Sequence, residues 1–377
     1  MAEKPRGRSG KVKSQILLES FFKDKTIFIT GHTGFIGSWL STWLHMLGSK
    51  VVGYALKPNT FPSMFETLSL DKKITSIFGD IRNKKLLDSY ILESKPDIII
   101  HLAAQPLVLS SYQNPVETIE TNVMGTVNLL ESVRKSSSVK VCINFTSDKC
   151  YDNRNLDYPY HENDPLGGHD PYSASKASSE IVTASYRKSF FGSDSAVNLA
   201  SVRAGNVIGG GDWAENRIVP DVIRDLSVNK SAQVRNPDSI RPWQHVLEPI
   251  SGLLWLSVKM WNEPNRFNEA WNFGPNSTMT VKELVNEIIR YWGSGSWVNS
   301  QANLKHEAKL LKLDCSKAKI SLGWSPVYDV KKTIAETVAW YRNYKENNAD
   351  IYDFTARQIM DYSETAKLTG LPWASTP

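Results

Sequence analysis

Tyr172 and Lys176 stand four residues apart in Pro171-Tyr-Ser-Ala-Ser-Lys176, a stretch with no helix breaker after its opening proline. On a helix, positions i and i+4 share a face, so this phenol and ammonium would meet one ligand together. A free Tyr titrates near ~10 and is protonated at neutral pH. A neighbouring ammonium and the positive charge of an oxidised nicotinamide both favour the phenolate, which can then act as a base. That is the equipment for taking a proton from a hydroxyl group while hydride leaves the same carbon. Ser147, just beyond the apolar run Val139-Lys-Val-Cys-Ile-Asn-Phe145, could hold that hydroxyl. Asp148 and Lys149 follow it and add a potential acid and a potential base. Side chains alternate between faces along a strand, so all three face one ligand only if the strand has ended. Otherwise Asp148 and Lys149 are an ion pair in a loop.

A hydride needs an acceptor, and the sequence supplies a place for one. Lys25-Thr-Ile-Phe-Ile-Thr30 reads as a buried parallel strand. Gly31-His-Thr-Gly-Phe-Ile-Gly37 follows, and then Ser38–Leu47 with apolar residues at helical spacing and Gly48 as a stop. Strand, glycine turn and helix together aim backbone N–H groups and the positive helix end at a pyrophosphate. Gly31, His32, Thr33, Gly34, Phe35, Ile36 and Gly37 are therefore expected to contact a dinucleotide. The spacing is Gly-x-x-Gly-x-x-Gly rather than the commoner Gly-x-Gly-x-x-Gly. The acid that usually grips an NAD ribose should end the second strand, yet Lys50-Val-Val-Gly-Tyr-Ala-Leu56 runs into Lys57-Pro58. Lys57 leaves NADP open on these residues alone. Asp80 and Ile81, closing a third strand, are expected near the adenine. Ile98-Ile-Ile-His101 leads into Leu102, Ala103 and Ala104, small enough for close approach of a cofactor, with Gln105 placed towards the substrate.

These elements predict an α/β chain. Strands alternate with helices from 25 to 205, as a doubly wound parallel sheet requires. Past Arg203 the alternation becomes irregular, and a smaller α/β substrate-binding lobe is expected over 206–360, with a segment near 245–260 packing back on the first domain. Residues 1–24 read as a disordered basic arm and 361–377 as a tail. Of the net +5, five cations against Glu3 place +4 in the first fifteen residues. The body carries about +1, which gives no reason to expect nucleic acid. No apolar stretch approaches the ~20 residues that span a bilayer. Cys142, Cys150 and Cys315 lack paired spacing and suit a reducing cytoplasm. The scattered histidines predict no metal site.

Glycine turn, Ser147 and Tyr172-x-x-x-Lys176 resemble the extended short-chain dehydrogenase/reductase superfamily, with its Rossmann-type domain, across roughly residues 25–340. Within it, four segments resemble the CDP-glucose 4,6-dehydratase family: Thr146–Asp152, Glu162–Lys176, Arg203–Trp213 and Arg241–Pro249. The resemblance implies NAD as cofactor, and His32 inside the turn suits this branch. It also implies a reaction. Tyr172, with Ser147 and Lys176, would deprotonate the C4 hydroxyl of a nucleotide-bound glucose as hydride leaves for NAD⁺. Lys149 would remove the acidified C5 proton, Asp148 would protonate the departing C6 hydroxyl, and the hydride would return to C6. The related dTDP-sugar enzymes carry Thr-Asp-Glu where this chain has Ser147-Asp148-Lys149. The superfamily further implies a homodimer or homotetramer joined through the helices holding Asn122–Arg134 and Tyr172–Lys188.

A diphosphate needs donors. Asn206, Arg217 and Arg241, with Arg235 as a weaker candidate, lie on the second lobe's loops, and Arg offers bidentate geometry for phosphate. Trp213 and Trp243 could cover the ligand. Two other readings share parts of this pattern. A nucleotide-sugar epimerase or reductase needs the turn and the Tyr–Lys pair but not Asp148 and Lys149. A catalytically silent dinucleotide sensor needs only the turn.

Overall fold

The computed structural model describes residues 17–154, 157–300, 311–346 and 350–375. Its centre is a sheet of seven strands, all parallel: β1 (Thr26–Thr30), β2 (Lys50–Ala55), β3 (Thr75–Phe78), β4 (Ile98–His101), β5 (Val141–Phe145), β6 (Asn198–Arg203) and β7 (Ala270–Asn272). The strand order is β7-β6-β5-β4-β1-β2-β3. The chain runs outward from β1 to β3 and then returns to β4 on the other side, so the order reverses between β1 and β4. Ligands of open α/β sheets bind beyond the carboxyl ends at such a reversal.

Strands β4, β5 and β6 are buried along their whole length, which accounts for their continuous apolar runs. Alternation still divides them. Ile27, Ile29, Ile98, Ile100, Val141 and Ile143 join one hydrophobic layer, while Phe28, Ile99, Cys142 and Leu199 join the other. The first layer is completed by α2 (Phe35–Met46), through Trp39, Leu40, Trp43 and Leu44. The second is completed by α3 (Lys84–Ser94), through Leu87 and Ile91, and α4 (Gly125–Lys135), through Leu129, Leu130 and Val133. Next to α4 lies α5 (Pro171–Ser189), with Pro171 in its first turn and Asp170 capping Ser173 N at 2.9 Å. Among the described residues, no helix is long and apolar enough to cross a membrane.

The second lobe is built from α6 (Ile218–Ser227) on the strand Ala232–Val234, with α8 (Val281–Trp292) against α9 (Val330–Glu346); between them in sequence runs α7 (Leu247–Asn262). Helix α7 covers the segment expected near 245–260 to pack on the first domain, and that packing extends further along the chain. Helix α7 packs on β5, β6 and α2, and β7 adds the last strand of the main sheet, with Trp271 opposite Val202. Residues 247–272 therefore belong structurally with the first domain. The stretch from 361 is no tail: α10 (Ile351–Leu368) buries Ile359, Tyr362 and Ala366, and the wholly buried Trp373 stacks on Tyr362 and meets Trp43. The basic arm is shorter than drawn. Residues 1–16 lie outside the described residues, but α1 (Leu17–Phe22) buries Leu18 and Phe22, and Leu17 N donates to Ser375 O at 3.0 Å.

Candidate active site

The glycine turn between β1 and α2 is tight for a definable reason. Gly31 has φ +80°, and a Cβ on it would lie 2.7 Å from Ala103 N; one on Gly37 would lie 2.2 Å from Gly31 O. Gly34 caps α2 without a side-chain hydrogen bond. The N–H groups at the head of α2 thus open without a side-chain cover, the arrangement that binds a phosphate. Gly31, Phe35, Ile36 and Gly37, with Leu102 and Ala104 across from them, line a cleft of about 750 Å³. Thr30 Oγ1 accepts from Leu102 N and Ala103 N at 3.2 Å each and so sets the facing loop.

The other residues expected at the cofactor make the following contacts within the chain. His32 is wholly buried beneath the turn, its Nε2 2.7 Å from Ser76 Oγ and its ring in the space a Cβ on Gly53 would occupy. Burial lowers its pKa to about 4, so it is neutral, and its side chain packs β1 against β2 and β3 instead of meeting a ligand. Thr33 Oγ1 donates to Leu56 O at 2.9 Å. Ile81 turns inward against Gly125. Asp80 forks onto Arg82, with Nη2 2.6 Å away, and this guanidinium holds its carboxyl below the usual range. Lys57 lies over the ring of Phe78, 5.9 Å from its centroid.

The same cleft is lined by Ser147, Asp148, Lys149, Tyr172 and Lys176. Strand β5 ends at Phe145 and the chain turns into a 3₁₀ segment, Asp148–Cys150, capped by Ser147 Oγ accepting from Lys149 N at 3.2 Å. The end of the strand allows three consecutive side chains to reach one cavity. Ser147 Oγ donates to Asp148 Oδ1 at 3.0 Å, and Asn206 Nδ2 donates to Asp148 Oδ2 at 3.3 Å. Among the described residues, Lys149 forms no ion pair, so the loop pair with Asp148 is not made. Ser147 is also near enough to Tyr172 to favour its phenolate.

Burial pushes Tyr172 up to about 12, with Asp148 adding to the rise and Ser147 and Arg217 opposing it. Lys176 is brought down to about 8 by burial, against the pull of Cys150 and Glu180. The expectation that Lys176 would lower the phenol's pKa is therefore not met in the chain by itself: desolvation outweighs the nearby cations.

A network that sequence reasoning missed holds this loop from behind. Glu180, one turn past Lys176 on α5, accepts from Thr146 Oγ1 at 2.5 Å, Ser201 Oγ at 2.8 Å and Arg203 Nη2 at 2.8 Å. Burial alone would raise Glu180; Arg203 and these hydrogen bonds outweigh it, so its pKa is lowered. Arg203 Nη1 donates onward to Tyr151 OH at 2.9 Å, and that hydroxyl donates to Asn272 on β7 at 2.7 Å. A second brace is Asn122, in a wide turn (Glu120–Met124) ahead of α4. Its Oδ1 accepts from Gln105 N at 2.8 Å, and its Nδ2 donates to Ser175 Oγ at 2.8 Å. Both signals were single polar residues in helical stretches, indistinguishable in sequence from solvated positions.

Of the substrate candidates, Asn206, Arg217, Arg235 and Arg241 line the cleft. Asn206 adopts φ +51°, and Arg217 precedes α6 and pairs with Asp212 at 2.9 Å. Gln105 is corrected: its Nε2 donates to Thr118 Oγ1 at 2.9 Å and its Oε1 accepts from Leu107 N at 2.6 Å, which commits it to the loop's own structure. Trp243 lines the cleft, whereas Trp213 packs between Tyr341 and Tyr344.

Comparison with known proteins agrees with this geometry. The family described as GDP-mannose 4,6 dehydratase matches residues 28–337. The chain belongs to that family. The CDP-glucose 4,6-dehydratase of Salmonella typhimurium is 48% identical over 351 residues, covering 91% of this chain and 98% of that protein. The dTDP-glucose 4,6-dehydratase of Streptomyces antibioticus is 29% identical over 329 residues, covering 84% and 92%. Two solved structures share the fold. A dTDP-glucose 4,6-dehydratase from Streptomyces venezuelae, crystallised with NAD, superposes with a TM-score of 0.74 at 24% identity over 85% of this chain and 98% of that one. A UDP-glucose 4-epimerase from Thermotoga maritima, crystallised with UDP-glucose, gives 0.75 at 22% identity over 85% and 99%.

Proposed function

We propose that this chain is an NAD-dependent CDP-glucose 4,6-dehydratase, a hydro-lyase converting CDP-glucose to CDP-4-dehydro-6-deoxy-glucose. The observation that carries this reading is the convergence of Ser147, Asp148, Lys149, Tyr172 and Lys176 on one cleft that also opens onto the bare head of α2. An epimerase or reductase would use Tyr172 but would have no task for an acid and a base beyond it. A silent sensor would need none of the five. The nucleobase comes from the 48% identity to the Salmonella enzyme.

The residues fit a dinucleotide: the approach at Gly31 and Gly37 leaves no room for a Cβ, and the α2 N–H groups lack a side-chain cap. When bound, NAD supplies the hydride acceptor for C4 and the later donor for C6, so it is regenerated. The chain's own groups move the protons. Tyr172, oriented by Ser147, takes the proton of the C4 hydroxyl. With its pKa near 12 in the chain alone, it depends on added positive charge to reach the phenolate, which the oxidised nicotinamide and a protonated Lys176 provide. Once C4 is a carbonyl, the C5 proton is acidic; Lys149, in no ion pair among the described residues, removes it as the neutral amine and returns a proton to C5 when hydride reaches C6. Asp148, aimed by Ser147 and Asn206, delivers a proton to the departing C6 hydroxyl. Arg217 and Arg241 hold the diphosphate.

We place the enzyme in the cytoplasm, consistent with three free cysteines, and as a homodimer through α5 and the 115–135 helices, where Val116, Ile119, Met124 and Ile181 stand exposed. Incubation of purified protein with CDP-glucose and NAD should yield a product with carbonyl absorbance in base. No such product, or faster turnover of dTDP- or UDP-glucose, would defeat the reading.

A further inference from the structure

The cleft extends past the diphosphate candidates to an end that no step above uses. Asp221 lies in the first turn of α6, whose extended N-cap residue is Arg217, and both line the cleft. Asp221 shares that lining with Gln233, Arg235 and Asn236. Its side chain is 27% exposed, and its Oδ1 accepts from Arg224 Nη1 at 2.8 Å. An ionised carboxylate has about four acceptor sites, and the bond from Arg224 leaves capacity towards the cavity. Arg235 is near enough to act on this carboxylate electrostatically. A ligand whose diphosphate lies at Arg217 and Arg241 therefore brings its base against an acceptor and a donor side by side.

Resting on the CDP-glucose reading, we infer that Asp221 and Arg235 select cytosine, the carboxylate accepting from the N4 amino group and the guanidinium donating to N3 or O2. A carboxylate is a suitable acceptor for cytosine N4. Uracil presents the opposite pattern, an O4 acceptor beside an N3–H donor, so its carbonyl would face the carboxylate and its N–H the guanidinium. Selectivity built on a hydrogen-bonding site is steep because the wrong base leaves buried polar groups unpaired.

The test compares CDP-glucose with UDP-glucose as substrates, and CMP with UMP as ligands in calorimetry, for the wild type and Asp221→Asn. The Asn amide can turn its carbonyl oxygen to cytosine N4 or its NH₂ to uracil O4 and so loses the preference. The ratio of kcat/KM for CDP-glucose over UDP-glucose should fall roughly 10- to 100-fold, with the same fall in the CMP:UMP affinity ratio. An equal loss for both bases would show that Asp221 merely supports α6 and would overturn the inference. If the wild type itself shows no preference for CDP-glucose, the substrate reading fails first, and the comparison of the variant is not what defeats it. The CMP and UMP titrations need no turnover, so a variant that binds both normally but is inactive also counts against the assignment.

Discussion

Substituting Gly205 with Ala should disable the enzyme through a single atom. Gly205 lies beside the proposed acid, and a Cβ there would sit 1.9 Å from Asp148 Oδ2 and 2.0 Å from its Cγ. Gly205 is not among the glycines with positive φ, so alanine brings no backbone strain of its own. To regain ordinary contact the carboxylate must retreat by about 1.5 Å. It cannot do so and keep the 3.3 Å bond from Asn206 or the 3.0 Å bond from Ser147. A misplacement of about 1 Å in a positioned group costs on the order of 10²-fold in rate, so kcat for CDP-glucose should fall by about that factor with KM nearly unchanged. The lost hydrogen bonds should cost about 1–3 kcal/mol of stability, a modest drop in Tm with the circular dichroism spectrum intact. C4 oxidation does not use Asp148, so reduced nicotinamide should still accumulate by absorbance in a single turnover. Combining Gly205→Ala with Asp148→Asn should add little to either alone, since both remove the same proton delivery. A kcat within about threefold of wild type, or strictly additive losses, would refute the assignment of Asp148.

Tyr172→Phe should abolish reduction of the dinucleotide by CDP-glucose, whereas Lys149→Ala should permit it and stall before water leaves; equal blocks in both would merge the two roles. Lys176 is held at about 8 against 10.5 by burial, so its charged form costs stability fully below pH 8, and that cost fades as pH rises towards 10.5. Lys176→Met should therefore be inactive yet more stable at pH 7, on the order of 3 kcal/mol, with the gain shrinking at pH 9–10 in denaturant titrations; a pH-independent gain would contradict this. Glu248, wholly buried and raised to about 7 from 4.5, adds stability that is complete below pH 4.5 and is lost as pH rises through 7. Glu248→Gln should remove that part of the slope in Tm between pH 5 and 7.5. Sedimentation at micromolar concentration should show a dimer, and a monomer would count against the helix interface.

What sequence revealed depended on how local the determinants were. The turn from Gly31 to Gly37 and the pair Tyr172–Lys176 were legible because each is a contiguous pattern whose meaning is set by its own strand or helix. Asp148 and Lys149 lie just past Phe145, where the residues alone leave a loop ion pair open, and their roles came from the resemblance to the dehydratases. Glu180 and Arg203 were invisible as a pair because 23 residues separate them and neither departs from a helix or strand pattern. Asn122 and Ser175, 53 residues apart, were hidden for the same reason. The C-terminal helix and Trp373 were undervalued because their burial depends on Trp43, at the other end of the chain. Strand β7 has three residues, too few for a period to show. Gln105 was assigned to substrate on its position after a small-residue loop, but the loop's own backbone claims its amide. The Tyr172 shift ran opposite to expectation because burial is a property of the packed fold and a nearby Lys can be read from spacing.

If Lys149 is the C5 base within one catalytic cycle, each hydrogen of the substrate has a fixed destination. CDP-glucose labelled at C4 with deuterium, turned over in ordinary water and then unlabelled substrate turned over in deuterated water, tests it most directly by mass spectrometry and NMR of the product. The C4 label should appear at C6 of the same molecule, and solvent deuterium should appear at C5 in the wild type. Lys149→Ala should reduce both product and C5 labelling by several orders of magnitude. A Lys149→Ala enzyme with near-normal turnover and C5 labelling, or C4 label lost to solvent in the wild type, would contradict it.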